Sequence, residues 1–160
     1  MASYEATIPS ISTADATFGY LADFSNSEQW DPGVLLAERL DQGQVRQGSE
    51  VRLVVPFGRR KLTLIYQVAA ISREDRRVVL TARNWLMKAR DEISVSPTSP
   101  LASDSAVTYW ADVTLRGPLI VLDPLLRRGF KTVGGRAAAG LTEVLSAPLP
   151  DQADAASEAS

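Results

Sequence analysis

The strongest constraint on the fold is a run of six predicted β-strands that is followed by one long amphipathic helix. Apolar and polar residues alternate in several of these segments, and turn-forming residues separate them. Short connections join only antiparallel neighbours, so the segments are expected to form a meander. The predicted strands cover residues 34–41, 50–57, 61–71, 77–84, 87–96 and 106–116.

A further strand and two short helices are predicted before this meander. Alternation over residues 4–8 indicates a half-buried strand that ends near Pro9. Ser12 opens one helix-start pattern, and Ser25 and Glu28 have the spacing of a capping box for a second helix. The proline and glycine that follow should end this second helix after about two turns.

The carboxyl-terminal part of the chain predicts one helix that covers the sheet. Asp123 followed by Pro124 is typical of a helix start, and the helix should run to about Leu145. A sheet with one apolar face needs a cover, and this helix is the only predicted element long enough to supply it. Its apolar stripe comprises Leu126, Phe130, Val133, Ala137, Leu141 and Val144.

Four glycines lie within this helix, namely Gly129, Gly134, Gly135 and Gly140. Each costs about 1 kcal/mol relative to alanine in a helix interior. Their presence indicates a need for close backbone approach, for flexibility or for empty space. Close packing of the helix on the sheet and room for a ligand both remain open as explanations.

The chain contains no cysteine and no histidine. Their absence excludes disulfides, thiolate and imidazole nucleophiles, and zinc sites with the usual ligands. The carboxylates also lack calcium-loop spacing, so we expect no metal ion and no cofactor. A net charge of −2 predicts no general attraction to nucleic acid.

The 160 residues are expected to form one domain over residues 1–147, followed by a polar, disordered tail over residues 148–160. The amino terminus shows no secretory signal, and no apolar stretch is long enough to span a bilayer. We therefore expect a cytoplasmic protein without stable membrane insertion, present as a monomer or a homodimer.

The order of these elements resembles that of the START-like helix-grip superfamily (SRPBCC), in its polyketide cyclase/dehydrase-like branch. The resemblance covers about residues 3–146. It implies an α+β fold in which a curved, seven-stranded antiparallel sheet wraps around the long carboxyl-terminal helix, with two short helices after strand 1. It also implies a cavity between the sheet and the helix that holds an apolar small molecule. The segments that carry the resemblance are residues 21–25, 29–33, Gly48, 107–111 and Gly117-Pro118.

The candidate polar groups are those whose strand parity points toward such a cavity. Asp91 shares a strand face with apolar residues, so its carboxyl should be paired, hydrogen-bonded or protonated. Tyr109 lies inward by the same parity. Tyr66 is a further candidate whose direction stays open, because both faces of residues 62–71 are largely apolar. Asp91 and Tyr109 are the catalytic candidates, with Glu38 and Tyr66 as further proton-transfer groups. A salt bridge for Asp91 and a plain core role for the tyrosines stay open.

Five other residues are candidates for contact with an apolar ligand. The resemblance places Trp30 by the cavity mouth, although this tryptophan would equally suit a staple for the short helices. Trp85 could line a pocket rim or cap the sheet. Phe57, Phe130 and Val133 are lining or core candidates. Together with Tyr66, Asp91 and Tyr109 they form the predicted binding set.

Three functions remain in competition at this stage. The first is a carrier or sensor for a lipid, isoprenoid or polyketide-like ligand, and the second is a polyketide cyclase or dehydratase. The third is a chaperone-like or interaction protein that presents its sheet or basic hairpin tips to a partner. The tips comprise Arg59, Arg60, Lys61, Arg73, Arg76 and Arg77. They are expected either to be solvated turns or to bind a lipid headgroup or an acidic partner.

Overall fold

A computed structural model describes residues 2–149 and shows the elements in the predicted order. The first strand is followed by two short α-helices with a 3₁₀ turn (Phe24–Asn26) between them, and a 3₁₀ segment (Gly117–Leu122) precedes the last helix. The strands are β1 Ala2–Ser10, β2 Leu36–Arg39, β3 Glu50–Phe57, β4 Arg60–Ser72, β5 Arg77–Arg83, β6 Met87–Pro97 and β7 Ser105–Leu115. The helices are α1 Ala14–Ala22, α2 Ser27–Trp30 and α3 Asp123–Leu145.

All seven strands form one curved antiparallel sheet in the order β1-β7-β6-β5-β4-β3-β2. β2 to β7 make the predicted meander, and β1 returns to pair with β7. A register shift between Val68 and Ala70 in β4 is a bulge of the kind that increases local twist. The predicted α+β helix-grip fold is therefore confirmed.

The helix starts differ from the predicted ones. Thr13, rather than Ser12, caps α1, because its hydroxyl accepts a hydrogen bond from the backbone N–H of Ala16. The capping box at Ser25 and Glu28 is wrong as well. A 3₁₀ turn occupies this segment, and the Glu28 carboxylate accepts instead from the backbone N–H of Ala37 at 2.9 Å, which ties α2 to β2.

The helix α3 packs closely only along its second half. Ala137, Leu141 and Leu145 are buried in the core, whereas no residue between Asp123 and Val133 is buried. Val133 is 48% exposed, so the predicted apolar stripe is only partly covered. The first half of the helix therefore lies away from the layer that it was expected to contact throughout.

The four glycines of α3 serve different purposes. A Cβ at Gly134 would overlap the ring of Tyr4 in β1, and one at Gly140 would overlap the carbonyl oxygen of Trp30. Gly129 and Gly135 have open space at the same position. Close approach of backbones thus explains two of the glycines and leaves the other two without a packing reason.

The packed core extends past residue 147, because Leu149 is 2% exposed and lies among core side chains. The rest of the predicted tail, residues 150–160, lies outside the described residues. Within residues 2–149 no helix has both the length and the apolar character that spanning a bilayer requires.

Candidate functional site

A cavity of about 390 Å³ lies between the inner face of the sheet and the first half of α3. This volume is within the range of about 300–1,000 Å³ that is typical of small-molecule sites. Leu53 and Leu64 contribute to the sheet side of the lining, and Leu126 and Phe130 contribute to the helix side. The lining is mainly apolar, and its few ionisable side chains are Asp31, Tyr66, Asp91, Tyr109 and Arg136.

The register of β6 and β7 brings Asp91 and Tyr109 together. Asp91 lies directly opposite Ala111, and Tyr109 is two residues further along β7 on the same face of the sheet. Such diagonal neighbours are within reach of a long aromatic side chain. The Tyr109 hydroxyl donates a hydrogen bond to Oδ1 of Asp91 at 2.7 Å, and both side chains are buried.

Burial raises the pKa of Asp91 from 3.8 to about 6, because the charged carboxylate loses its hydration. Interactions with the hydroxyls of Tyr109 and Tyr66 lower this pKa, while the carboxylates of Asp31 and Asp112 raise it. The pKa values of both tyrosines are raised well above 10.0 by burial and by the charge of Asp91. The carboxyl of Asp91 can therefore change its protonation state near neutral pH, as an acid–base catalyst must.

Asp31 is a second cavity carboxyl, and no sequence pattern pointed to it. Its Oδ1 accepts a hydrogen bond from the backbone N–H of Gly33 at 2.8 Å, in the turn after α2. Burial raises its pKa, and the bond from Gly33 partly offsets this rise. The sequence Asp31-Pro32-Gly33 is typical of a turn, and this already accounts for the aspartate. No local pattern therefore indicated that Asp31 lines a cavity. Arg136 was missed because it lies off the apolar stripe of α3.

Six of the eight predicted binding residues line the cavity, namely Phe57, Tyr66, Asp91, Tyr109, Phe130 and Val133. Their role in binding remains a prediction. The salt bridge that was considered for Asp91 is not present among residues 2–149, where its side chain bonds to a tyrosine instead. Glu38 lies elsewhere, on β2, and forms an ion pair with Arg52.

The two predicted tryptophans do not line the cavity. Trp30 is 3% exposed, and its ring packs edge-on against those of Phe24 and Tyr109, with centroids 6.2 and 5.9 Å apart. Trp30 therefore belongs to the core, where its ring contacts Phe24 of the 3₁₀ turn and Tyr109 of β7. Trp85 is 80% exposed in the connection between β5 and β6.

The described residues, 2–149, bring together no cluster of three or more acidic side chains that could hold a metal ion. The ionisable groups that line the cavity are carboxyl, phenol and guanidinium groups.

Replacing Tyr109 with phenylalanine should raise the pKa of Asp91 by about one unit, because this change removes a hydrogen bond that stabilises the ionised carboxylate. A carboxyl-carbon NMR titration of Asp91 measures this shift. Tyr20→Phe is the matched control, since the Tyr20 hydroxyl bonds to Gln29. An unchanged Asp91 titration in Tyr109→Phe would show that the two groups do not interact in solution.

The sequence of residues 1–146 matches the family described as polyketide cyclase/dehydrase and lipid transport. The chain belongs to this family. A search of curated proteins finds no match to its sequence. The START-like resemblance recognised in the sequence is thereby confirmed.

Solved structures with this fold come from several bacteria. A START superfamily protein from Mycobacterium smegmatis is 16% identical, with a TM-score of 0.72 and coverage of 91% of this chain and 97% of that one. The Zhui aromatase/cyclase from Streptomyces sp. R1128 is 17% identical, with a TM-score of 0.68 and 88% coverage of both chains. A protein from Thermus thermophilus is 13% identical, with a TM-score of 0.70 and coverage of 88% and 94%. At these identities the likeness shows the shared fold alone.

Proposed function

We propose that this member of the polyketide cyclase/dehydrase and lipid transport family binds an apolar small molecule in the cavity beneath α3. The observation that carries the proposal is a mainly apolar cavity with a buried carboxyl and hydroxyl pair, Asp91 and Tyr109, in its lining. A lipid, an isoprenoid or a polyketide-like molecule fits this chemistry. The protein would act as a carrier or sensor, as a cytoplasmic monomer or homodimer.

The charges of the lining narrow the ligand class. Asp31 and Asp91 disfavour a ligand carboxylate beside them, because two like charges in a desolvated site repel strongly. The lining cation, Arg136, is exposed on α3, and its hydrated guanidinium offsets this repulsion only weakly. A hydroxyl on the ligand would donate to ionised Asp91, and a ketone oxygen would accept from its protonated form. We therefore favour a ligand whose buried end is uncharged and carries oxygen.

Filling the cavity should weaken this binding. Val133→Trp places a large ring at a lining position of α3, and we expect the affinity for a neutral probe, N-phenyl-1-naphthylamine, to fall at least about tenfold. Leu125→Trp is the control, because Leu125 is on the same helix, is 69% exposed and does not line the cavity. A fluorescence titration measures both variants. Equal affinities of the two variants would place the probe outside the cavity and contradict the proposal. In a separate experiment, solvent extraction with mass spectrometry identifies a co-purified ligand.

A cyclase or dehydratase is the second candidate function, favoured by the Asp91–Tyr109 pair. Asp91, with a pKa of about 6, could accept and return a proton while Tyr109 holds it in place. One structural neighbour carries the name aromatase/cyclase, although it is only 17% identical. Asp91→Asn should then abolish turnover of a poly-β-ketone substrate and leave its binding intact. Unchanged turnover would remove the catalytic assignment and leave the carrier proposal standing.

A further inference from the structure

Three connecting segments gather at the end of the sheet where Phe57 and Phe130 line the cavity, and we call this surface the mouth face. It comprises residues 57–61 between β3 and β4, residues 83–88 between β5 and β6, and residues 116–131 after β7. The antiparallel meander places alternate hairpins at one end, which explains why the first two segments meet there. The third joins them because the backbone N–H of Arg116 donates to the carbonyl of Leu86 at 2.9 Å.

The mouth face carries a strong positive charge, although the whole chain has a net charge of −2. Asp123 is the only acidic residue in its three segments. The connections at the opposite end of the sheet, residues 40–49, 73–76 and 98–104, hold three arginines and four acidic residues. The cations of the mouth face are Arg59, Arg60, Lys61, Arg83, Lys88, Arg116, Arg127, Arg128 and Lys131.

Large apolar side chains protrude from the same three segments. Phe57 is 51% exposed and Trp85 is 80% exposed at the two hairpins, while Ile120, Val121 and Leu125 are 56%, 78% and 69% exposed after β7. Exposed apolar residues grouped in this way mark an interaction surface. A tryptophan with an apolar ring and a polar N–H is typical of the interface between water and lipid.

We propose that the mouth face docks reversibly on a bilayer that contains anionic lipids. Its cations would contact phosphate headgroups, and Trp85, Val121 and Leu125 would enter the interfacial region between them. Phe57 belongs to the mouth face and also lines the cavity, so docking would bring this side of the cavity close to the lipid. This role in ligand exchange rests on the proposed function, whereas the docking itself does not.

The charge pattern favours a membrane over a second copy of the chain. A twofold dimer through the mouth face would bring the same cations against one another, with little acidic surface to compensate them. The exposed residues come from three separate elements, so they present several protruding tips rather than one groove for a peptide. A fluid surface with distributed negative charge matches such tips.

Vesicle sedimentation tests the proposal with the whole chain. We expect binding to phosphatidylcholine vesicles that contain about 30% phosphatidylglycerol at about 0.1 M salt, loss of most binding at about 0.5 M salt, and little binding to pure phosphatidylcholine. Brominated lipids should quench the fluorescence of Trp85 in the bound state, and Trp85→Phe identifies its share of the signal. Absence of binding to the anionic vesicles would overturn the proposal.

Matched variants locate the contact. Changing Arg59, Arg60 and Lys61 to Gln should weaken binding to the anionic vesicles about a hundredfold, while Arg46→Gln with Arg73→Gln at the opposite end should have little effect. Trp85→Ser should weaken binding at least about tenfold. Leu101→Ser, at a leucine that is 99% exposed on the opposite end, is its control. Equal losses in test and control variants would overturn the assignment of the face.

Two further outcomes also count against the proposal. A dimer that Trp85→Ser dissociates in analytical ultracentrifugation would make the mouth face a self-association surface. Salt-sensitive capture of an acidic protein, without vesicle binding, would make it a protein-docking surface. Probe binding is measured without vesicles, so it tests the proposed function independently of membrane docking. Loss of docking with intact probe binding would refute only the membrane inference.

Discussion

Gly140→Ala is expected to lower the free energy of unfolding by more than about 3 kcal/mol. A Cβ at this position would overlap the backbone carbonyl oxygen of Trp30, which no change of rotamer can move aside. Either α3 must shift outward or α2 must distort, and both changes disturb the core beside Tyr109. Urea denaturation followed by circular dichroism measures the loss.

Gly135→Ala in the same helix is the matched control, and it should stabilise the protein by about 0.5–1 kcal/mol. A Cβ there meets no atom within 4 Å, so only the helix propensity and the unfolded-state entropy change. Equal stabilities of the two variants would show that α3 does not pack closely against α2 in solution. The position of the cavity wall that depends on this contact would then be incorrect as well.

The second large effect is a dependence of stability on pH that Asp91→Asn should remove. The pKa of Asp91 is raised from 3.8 to about 6 in the folded protein, so the folded state holds this proton more tightly than the unfolded state. Unfolding free energy should therefore fall as the pH rises from about 4 to above 6, by about 3 kcal/mol from this group alone. The loss of stability that ionised Asp91 causes is absent below this pH window and complete above it.

Chemical denaturation of both proteins between about pH 4 and pH 8 tests this expectation. The stability of Asp91→Asn relative to the wild type should increase with pH across the window. Asp41→Asn is the control without such a slope. Bonds from Ser49 and Arg39 lower the pKa of Asp41, so this carboxyl stays ionised across the window and the variant's curve should parallel that of the wild type. Parallel curves for the wild type and Asp91→Asn would mean that the carboxyl is hydrated in solution and that the pocket around it is open to water.

Strand parity is a local property, and it explains why the amino-acid sequence alone points to Asp91 and Tyr109. Alternate residues of a strand point to opposite faces, so the apolar neighbours of a polar residue disclose its direction. The same pattern could not reveal the hydrogen bond between Asp91 and Tyr109. That contact depends on the register of β6 against β7, which pairs residues far apart in the chain.

Residues outside the regular elements were harder to assign for the same reason. Asp31 lies in a turn, where no period shows which way a side chain points, and only the position of α3 over this turn makes it part of the cavity. Trp85 lies in the turn-like segment 84–86, and it was expected to line a pocket rim or to cap the sheet. Nothing local indicated that the hairpin would hold its ring out in solvent.

The order of strands and helices, the antiparallel meander and the inward face of the clearly alternating strands followed from the amino-acid sequence itself, because short turns and period-two patterning are local. The tertiary structure alone decided which half of α3 packs. Gly134 and Gly140 allow backbones to meet, whereas the segment from Asp123 to Val133 stays apart from the sheet and leaves a cavity. Empty space results from the distances among distant elements, and no local pattern encodes such distances.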